Sequence, residues 1–235
     1  MAPSQRPRRQ RRDRGAREVG QGQAPERRGR HGRDSGQALV EFALVFPIFI
    51  VLLLGTIEFA FVFNAVLSAN YATRDASLIG AEAGSNPGAD CVIIAQVLAD
   101  MKAPVDSSNV TQIIIYRANL GGGPVTGNYT TAGNVWNRGG TTDCSAYGGS
   151  ASLPFTLLPA DTHYPEGLPN LTTGAGGRCT YLNGCPNNTL RTRDTVGVQI
   201  SYAYSWHTPL RNFVGLIGSG ITVVRSNEMR MEPIL

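Results

Sequence analysis

One glycine and two glutamates, at the two ends of a long apolar run, are the candidate functional residues of this sequence. Gly36 precedes the run, Glu41 lies five residues after it, and Glu58 lies near the far end. A carboxylate near the bilayer centre costs about 2.5–3.5 kcal/mol, so a retained one indicates a function. A carboxylate retained at the start of an apolar run favours a protein that assembles with others over an enzyme.

The apolar run, Leu39–Phe63, predicts a membrane helix. As a helix it would span roughly 37 Å, against a hydrocarbon core of about 30 Å. Glu41 and Glu58 would lie about 26 Å apart and about 100° apart around the axis. They are therefore expected at opposite interfaces, not as an acid/base pair. Glu58 is either a snorkelling interfacial carboxylate or a functional group. Pro47 is expected to bend the helix.

The segment before this run is strongly basic. Residues 1–36 hold 11 Arg against 4 acidic residues, a net charge of +7, whereas the remaining residues carry a net charge of −3. The segment has no apolar periodicity and is expected to be a disordered leader. Because no aromatic residue is interleaved, nucleic-acid binding is disfavoured. The positive-inside rule instead predicts a cytoplasmic amino end, one membrane helix, and residues 84–235 outside.

The helix is predicted to extend beyond the membrane segment, so that the whole helix covers residues 37–84. Small and apolar residues repeat there at alternating spacings of three and four, which is a heptad seam made mostly of alanine. Such a seam allows close helix packing, against another subunit or against the chain's own external domain. Both alternatives stay open. The seam comprises Val62, Ala65, Ala69, Ala72, Ala76, Ile79 and Ala83.

Residues 85–235 predict an external α+β domain in which a small antiparallel sheet carries a helix. The patterns indicate a second helix at residues 91–101 and strands at 109–117, 195–206 and 221–231. Residues 120–190 are dense in Gly, Pro, Thr and Asn with little periodicity. They are expected to form a long, disulfide-tied loop.

All four cysteines follow the apolar run, which fits two disulfides in an oxidising compartment. Three connectivities are possible, and four free thiols are the alternative. Cys179 and Cys185 are the easiest pair to close, because only five residues separate them. Cys91 and Cys144 would then form the other bond.

Sequence signatures of catalysis are missing. There is no phosphate-binding glycine loop, no zinc-protease motif and no serine-nucleophile motif, and beyond the leader only His163 and His207 remain as histidines. The spacing of Cys179 and Cys185 does not suit zinc. The expectation is a non-enzyme without cofactor, metal, small-molecule substrate or nucleic-acid partner.

Two stretches carry a resemblance to a known family. Residues 35–47 (SGQALVEFALVFP) and 54–60 (LGTIEFA) closely resemble the TadE-like family of tight-adherence (Tad/Flp) pilus assembly proteins. The close match runs from about Arg33 to Ile79. The run Val40-Glu41-Phe42-Ala43, Pro47, and Glu58-Phe59 all fall at the family's spacing. Residues 198–232 show a looser similarity.

The resemblance implies a pilin-like, single-pass pseudopilin of the bacterial cytoplasmic membrane that helps to build Flp-type fibres. A prepilin peptidase would cut between Gly36 and Gln37, and Glu41 with Phe42 would contact other Tad pilus subunits and pseudopilins. The alternative is an uncleaved, signal-anchored envelope protein whose external domain binds a partner.

Overall fold

The computed structural model describes residues 31–147, 152–167, 177–180, 193–209, 218 and 220–231. The predicted leader up to residue 30 lies outside these residues. The chain divides into two compact units, Met1–Phe46 and Pro47–Leu235.

One long helix, α1 (His31–Ala83), forms the first element. Its first residues belong to the segment that the sequence predicts as leader. Gly84 ends the helix in a left-handed conformation, with φ of 57°, and its N–H bonds to the carbonyl of Gly80 at 3.0 Å. Glycine reaches this conformation without strain, so α1 ends where the sequence predicts.

Among the described residues, Gly36–Ala83 of α1 is the one stretch long and apolar enough to cross a membrane. Its large apolar side chains up to Phe63 are mostly exposed. An apolar surface of this extent is unusual in a soluble protein and suits lipid.

A five-stranded antiparallel sheet and two short helices follow, which confirms the predicted α+β class. The elements are α2 (Ala89–Asp100), β1 (Val110–Ala118), α3 (Tyr129–Ala132), β2 (Gly133–Asp143), β3 (Ser152–Thr162), β4 (Thr195–Ser205) and β5 (Gly220–Arg230). The strand order is β3-β2-β1-β4-β5. The second helix and the three predicted strands therefore exist, each within about two residues of its expected bounds.

The expectation of one long loop over residues 120–190 is wrong. It contains α3 and the two strands β2 and β3, which pair with each other and extend the sheet beyond β1. Their glycines, threonines and prolines lack strand periodicity. The pairing is nevertheless stable because it buries Trp136 and Phe155 in the core.

The alanine seam packs on the chain's own domain. Ala65, Ala69, Ala72 and Ala76 are at most 1% exposed and share one hydrophobic core with α2 and the sheet. Ile79 is only partly buried, and Ser77 and Gly80 are buried instead. A straight helix with 3.6 residues per turn drifts away from a strict heptad line, which explains the shift at the end of the seam.

One disulfide ties α2 to the end of β2. Cys91 and Cys144 are bonded across a sequence separation of 53, with their Cα atoms 5.8 Å apart. This is the bond that the sequence predicts for these two cysteines. Cys179 is also disulfide-bonded. Its predicted partner, Cys185, lies outside the described residues.

We expect Cys179 and Cys185 to form the second bond, because they are the closest cysteines in the sequence. Peptide mapping of the unreduced protein from solubilised membranes should yield one peptide pair for each of the two disulfides. Recovery of Cys185 as a free thiol, or crossed to another chain, would disprove this pairing.

Candidate functional site

The residues assigned to processing and assembly lie in the first unit, on exposed helix. The side-chain amide of Gln37 donates a hydrogen bond to one carboxylate oxygen of Glu41 at 3.0 Å, one turn away. Phe42 is 61% exposed, and its ring lies 5.1 Å from that of Phe46. A carboxylate and an aromatic ring are therefore both open to a partner.

Gly36 has no structural task within the described residues. A Cβ atom at this position would meet nothing within 4 Å, and the backbone is helical. Alanine would fit and would favour the helix by about 1 kcal/mol. The described structure therefore does not require a glycine at this position.

Glu58 occupies a different environment from Glu41. It is only 3% exposed, and its carboxylate accepts three hydrogen bonds from the end of β4 and the residues that follow. The donors are the hydroxyl of Tyr204, the backbone N–H of His207 at 3.1 Å and that of Thr208 at 2.7 Å. Glu58 is thus neither a snorkelling carboxylate nor free for another subunit, because it joins α1 to the sheet.

Aromatic rings surround this carboxylate. The ring of Phe61 stacks on His207 with centroids 5.0 Å apart, and Nδ1 of His207 lies 3.2 Å from the hydroxyl of Tyr204. Burial, followed by the hydrogen bond to Glu58, raises the pKa of Tyr204. The phenol therefore keeps its proton and remains the donor.

A second polar contact joins α1 to the edge strand β5. The side-chain amide of Asn227 donates to the carbonyl oxygen of Asn70 at 3.1 Å and to the hydroxyl of Thr73 at 2.7 Å. This contact, Glu58 and the buried alanines together hold α1 against the sheet over most of the part of the helix that follows Glu58.

A buried ion pair holds the opposite end of the domain. Arg178 is completely buried and pairs with Asp90, in the first turn of α2. The carboxylate of Asp90 also accepts from Asn134 at 2.8 Å and from the indole of Trp136 at 3.3 Å. Burial alone would lower the pKa of Arg178, but Asp90 and neighbouring groups outweigh it and raise the pKa, so the guanidinium stays charged.

The chain around Arg178 is held by further polar contacts. Glu166 accepts from the backbone N–H groups of Gly88 and Asp90 at 2.6 and 2.7 Å, where α2 begins. Carboxylates are favourable there because those N–H groups have no helical partner. Tyr164 donates to Asp194, and burial strongly raises the pKa of this phenol. These contacts stabilise the fold.

Sequence patterns revealed neither cluster. The partners of Glu58 lie nearly 150 residues away, and Arg178 lies 88 residues from Asp90. The one available signal was Asp90, directly before the predicted second helix and in the first turn of the observed α2, where a carboxylate suits the helix dipole. In the described residues, no group of His, Cys, Asp and Glu could hold a metal ion.

No curated protein matches this chain, and no solved structure does either. A family comparison does give a match, over the part of α1 that contains Glu41, Glu58 and most of the alanine seam. Residues 36–78 match the family described as TadE-like protein, which confirms the resemblance that the amino-terminal helix shows in sequence.

Proposed function

We propose that this chain is a single-pass membrane subunit of Tad pilus assembly with a structural role. In this proposal α1 crosses the cytoplasmic membrane, the sheet domain lies outside, and a prepilin peptidase removes the leader after Gly36. Glu41 then contacts another pilus subunit or pseudopilin. The proposal deepens what the family match supports, which is a Tad-associated membrane protein.

The exposed carboxylate of Glu41 carries this proposal. It lies in an apolar helix that matches the TadE-like family, and its described side-chain partner is the neutral amide of Gln37. Removal of the leader would convert Gln37 into a charged amino terminus, about 6 Å along the helix from Glu41. In a staggered neighbour, that ammonium group and the carboxylate could offset each other's desolvation.

The contrast between the two carboxylates supports separate roles. Glu58 is already occupied within the chain, and the alanine seam is buried in the domain's own core. Glu58 and the four buried alanines are therefore not available to another subunit. Intermolecular contacts are therefore expected from the remaining exposed face of α1, to which Glu41 and Phe42 belong.

The second candidate is an uncleaved, signal-anchored envelope protein. One observation favours it: residues 31–36 continue the same helix as the apolar run, so the Gly36–Gln37 bond lies inside a helix. A peptidase would have to unwind this turn to cut it. The mature amino terminus separates the two candidates.

Replacement of Glu41 by alanine is expected to leave membrane insertion intact and to abolish most co-purification with pilus partners. Insertion should persist because a charge leaves the apolar run, which is favourable in lipid. Assembly should fail because the partner's ammonium group is left unpaired. The measurement is co-purification from detergent-solubilised membranes, together with mass spectrometry of the amino terminus.

Glu41→Gln is the matched control, since it keeps the size and the hydrogen-bonding capacity but removes the charge; it should behave like alanine. Gly36→Ala should be processed better than Gly36→Phe, because the residue before the cut must fit the peptidase. Normal co-purification of Glu41→Ala would contradict the proposed contact, and a wild-type chain that retains its leader would support the signal-anchored candidate.

A further inference from the structure

We propose that the end of the sheet around Trp206 rests on the outer surface of the bilayer that α1 crosses. It would contact phospholipid headgroups and the first carbons of their acyl chains. This inference rests on the membrane anchoring proposed above and adds a lipid-contacting surface to the external domain. The inference follows from the position along the axis of α1 at which the end of the sheet packs against the helix.

The hydrogen bonds of Glu58 fix this position along the helix axis. Because Tyr204, His207 and Thr208 all donate to its carboxylate, the end of β4 lies level with Glu58 along the helix. The stacking of Phe61 on His207 places the same segment within one turn above Glu58. The sheet therefore approaches the apolar run directly, with no intervening stretch of bare helix.

The apolar run ends at the same height. Leu39–Ile57 contains about 19 residues, close to the length that spans a hydrocarbon core. A carboxylate with polar backbone donors around it cannot lie in hydrocarbon without a large cost. We therefore place the outer boundary of the hydrocarbon at Glu58, one to two turns before Phe63, where the sequence predicts the span to end.

The side chains at this level have interfacial chemistry. Phe59 and Phe63 are 69% and 54% exposed, and their rings stack on the helix surface at 6.3 Å. Trp206 is partly buried, packs edge-on against Tyr204 and donates its indole N–H to Gly218 at 2.7 Å. Tryptophan, which has an apolar ring and a polar N–H, concentrates at membrane–water boundaries, and the exposed phenylalanines suit the apolar side of such a boundary.

An exposed apolar residue of the edge strand lies at the same end of the sheet. Ile221 pairs with Tyr204 across β4 and β5 and is 40% exposed. Ile221, Trp206 and the two phenylalanines thus place apolar side chains at or just above the level of Glu58, next to the exposed apolar part of α1. Lipid is the occupant that this position favours, because the same bilayer would cover the helix residues below Glu58.

The two tryptophans of the chain provide the test. Trp136 on β2 is 6% exposed and lies in register with Ile200 on β4, because both are opposite Ile113 of the intervening strand β1. Ile200 precedes Trp206 by six residues, so the two tryptophans lie roughly 20 Å apart along the strand direction. The full chain would be reconstituted into vesicles whose lipids carry bromine near the carboxyl end or near the methyl end of the acyl chain. Bromine quenches tryptophan emission at short range.

Wild-type emission should fall most with the shallow bromines, and Trp206→Phe should remove this quenching because only Trp136 remains. The Trp136→Phe variant should keep the full quenching by the shallow bromines. Shallow quenching that persists in Trp206→Phe, or none in the wild type, would overturn the proposal. Protection of Trp206 from iodide without quenching by brominated lipid would also overturn it, in favour of a covering protein. Extraction of the wild-type chain by alkaline carbonate would instead refute the membrane anchoring itself.

Discussion

Glu58→Ala is expected to release the end of the sheet from α1 and to lower the free energy of unfolding of the sheet domain by about 3 kcal/mol. The substitution leaves the hydroxyl of Tyr204 and the N–H groups of His207 and Thr208 without their acceptor. Buried donors without partners cost about 1–3 kcal/mol each, and water can reach part of this site after release. The measurements are denaturant unfolding in detergent and hydrogen exchange of the two backbone amides.

Glu41→Ala is the matched control, because it removes a carboxylate from the same helix at an exposed position. It should change the unfolding free energy by no more than about 0.5 kcal/mol. The loss of unfolding free energy in Glu58→Gln should lie between those of Glu58→Ala and Glu41→Ala. One amide oxygen can replace a carboxylate oxygen, but the NH₂ group opposes a backbone N–H. Unchanged amide protection at His207 and Thr208 in Glu58→Ala would show that Glu58 does not hold the sheet.

Arg178→Met should destabilise the sheet domain by about 3–5 kcal/mol. The substitution keeps most of the side-chain volume but leaves the carboxylate of Asp90 buried and without its cation. Removing one partner of a buried ion pair costs about 3–5 kcal/mol because the remaining charge stays desolvated. Equilibrium unfolding in urea, followed by circular dichroism, gives the change in free energy.

The double variant Arg178→Met with Asp90→Asn should recover most of the lost stability. An asparagine at position 90 carries no charge and can still accept from Asn134 and Trp136. If the double variant is as unstable as the sum of the two single changes, the ion pair is not the origin of the effect. A single Arg178→Met change below about 0.5 kcal/mol would likewise contradict it.

Local patterns predicted the elements whose burial is periodic. β4 alternates over its full length, with its apolar side chains on the face that packs on α1, and the end of α1 is marked by a glycine that adopts positive φ. β2 was missed because only Val135 and Trp136 mark it as a strand among glycine, asparagine and threonine. Its stability comes from cross-strand pairing, which a single sequence does not display.

The site was predicted only in part, for the same reason. Gly36, Glu41 and Phe42 belong to one short segment, so their spacing was visible. The partners of Glu58 and of Asp90 come from distant parts of the chain, and nothing local marks them. The seam left two packing partners open because small residues suit either one; the structure shows the chain's own core.

The burial of the alanine seam also determines when the sheet domain can fold. α1 leaves the ribosome first, whereas its packing partners β4 and β5 are the last strands made, and the central strand β1 pairs with β4 across about 80 residues. In the topology proposed above, folding is therefore completed only after nearly the whole chain has crossed the membrane. Until then α1 presents unpacked alanines and a Glu58 without its hydrogen-bond donors, so the chain is most prone to aggregation at this stage.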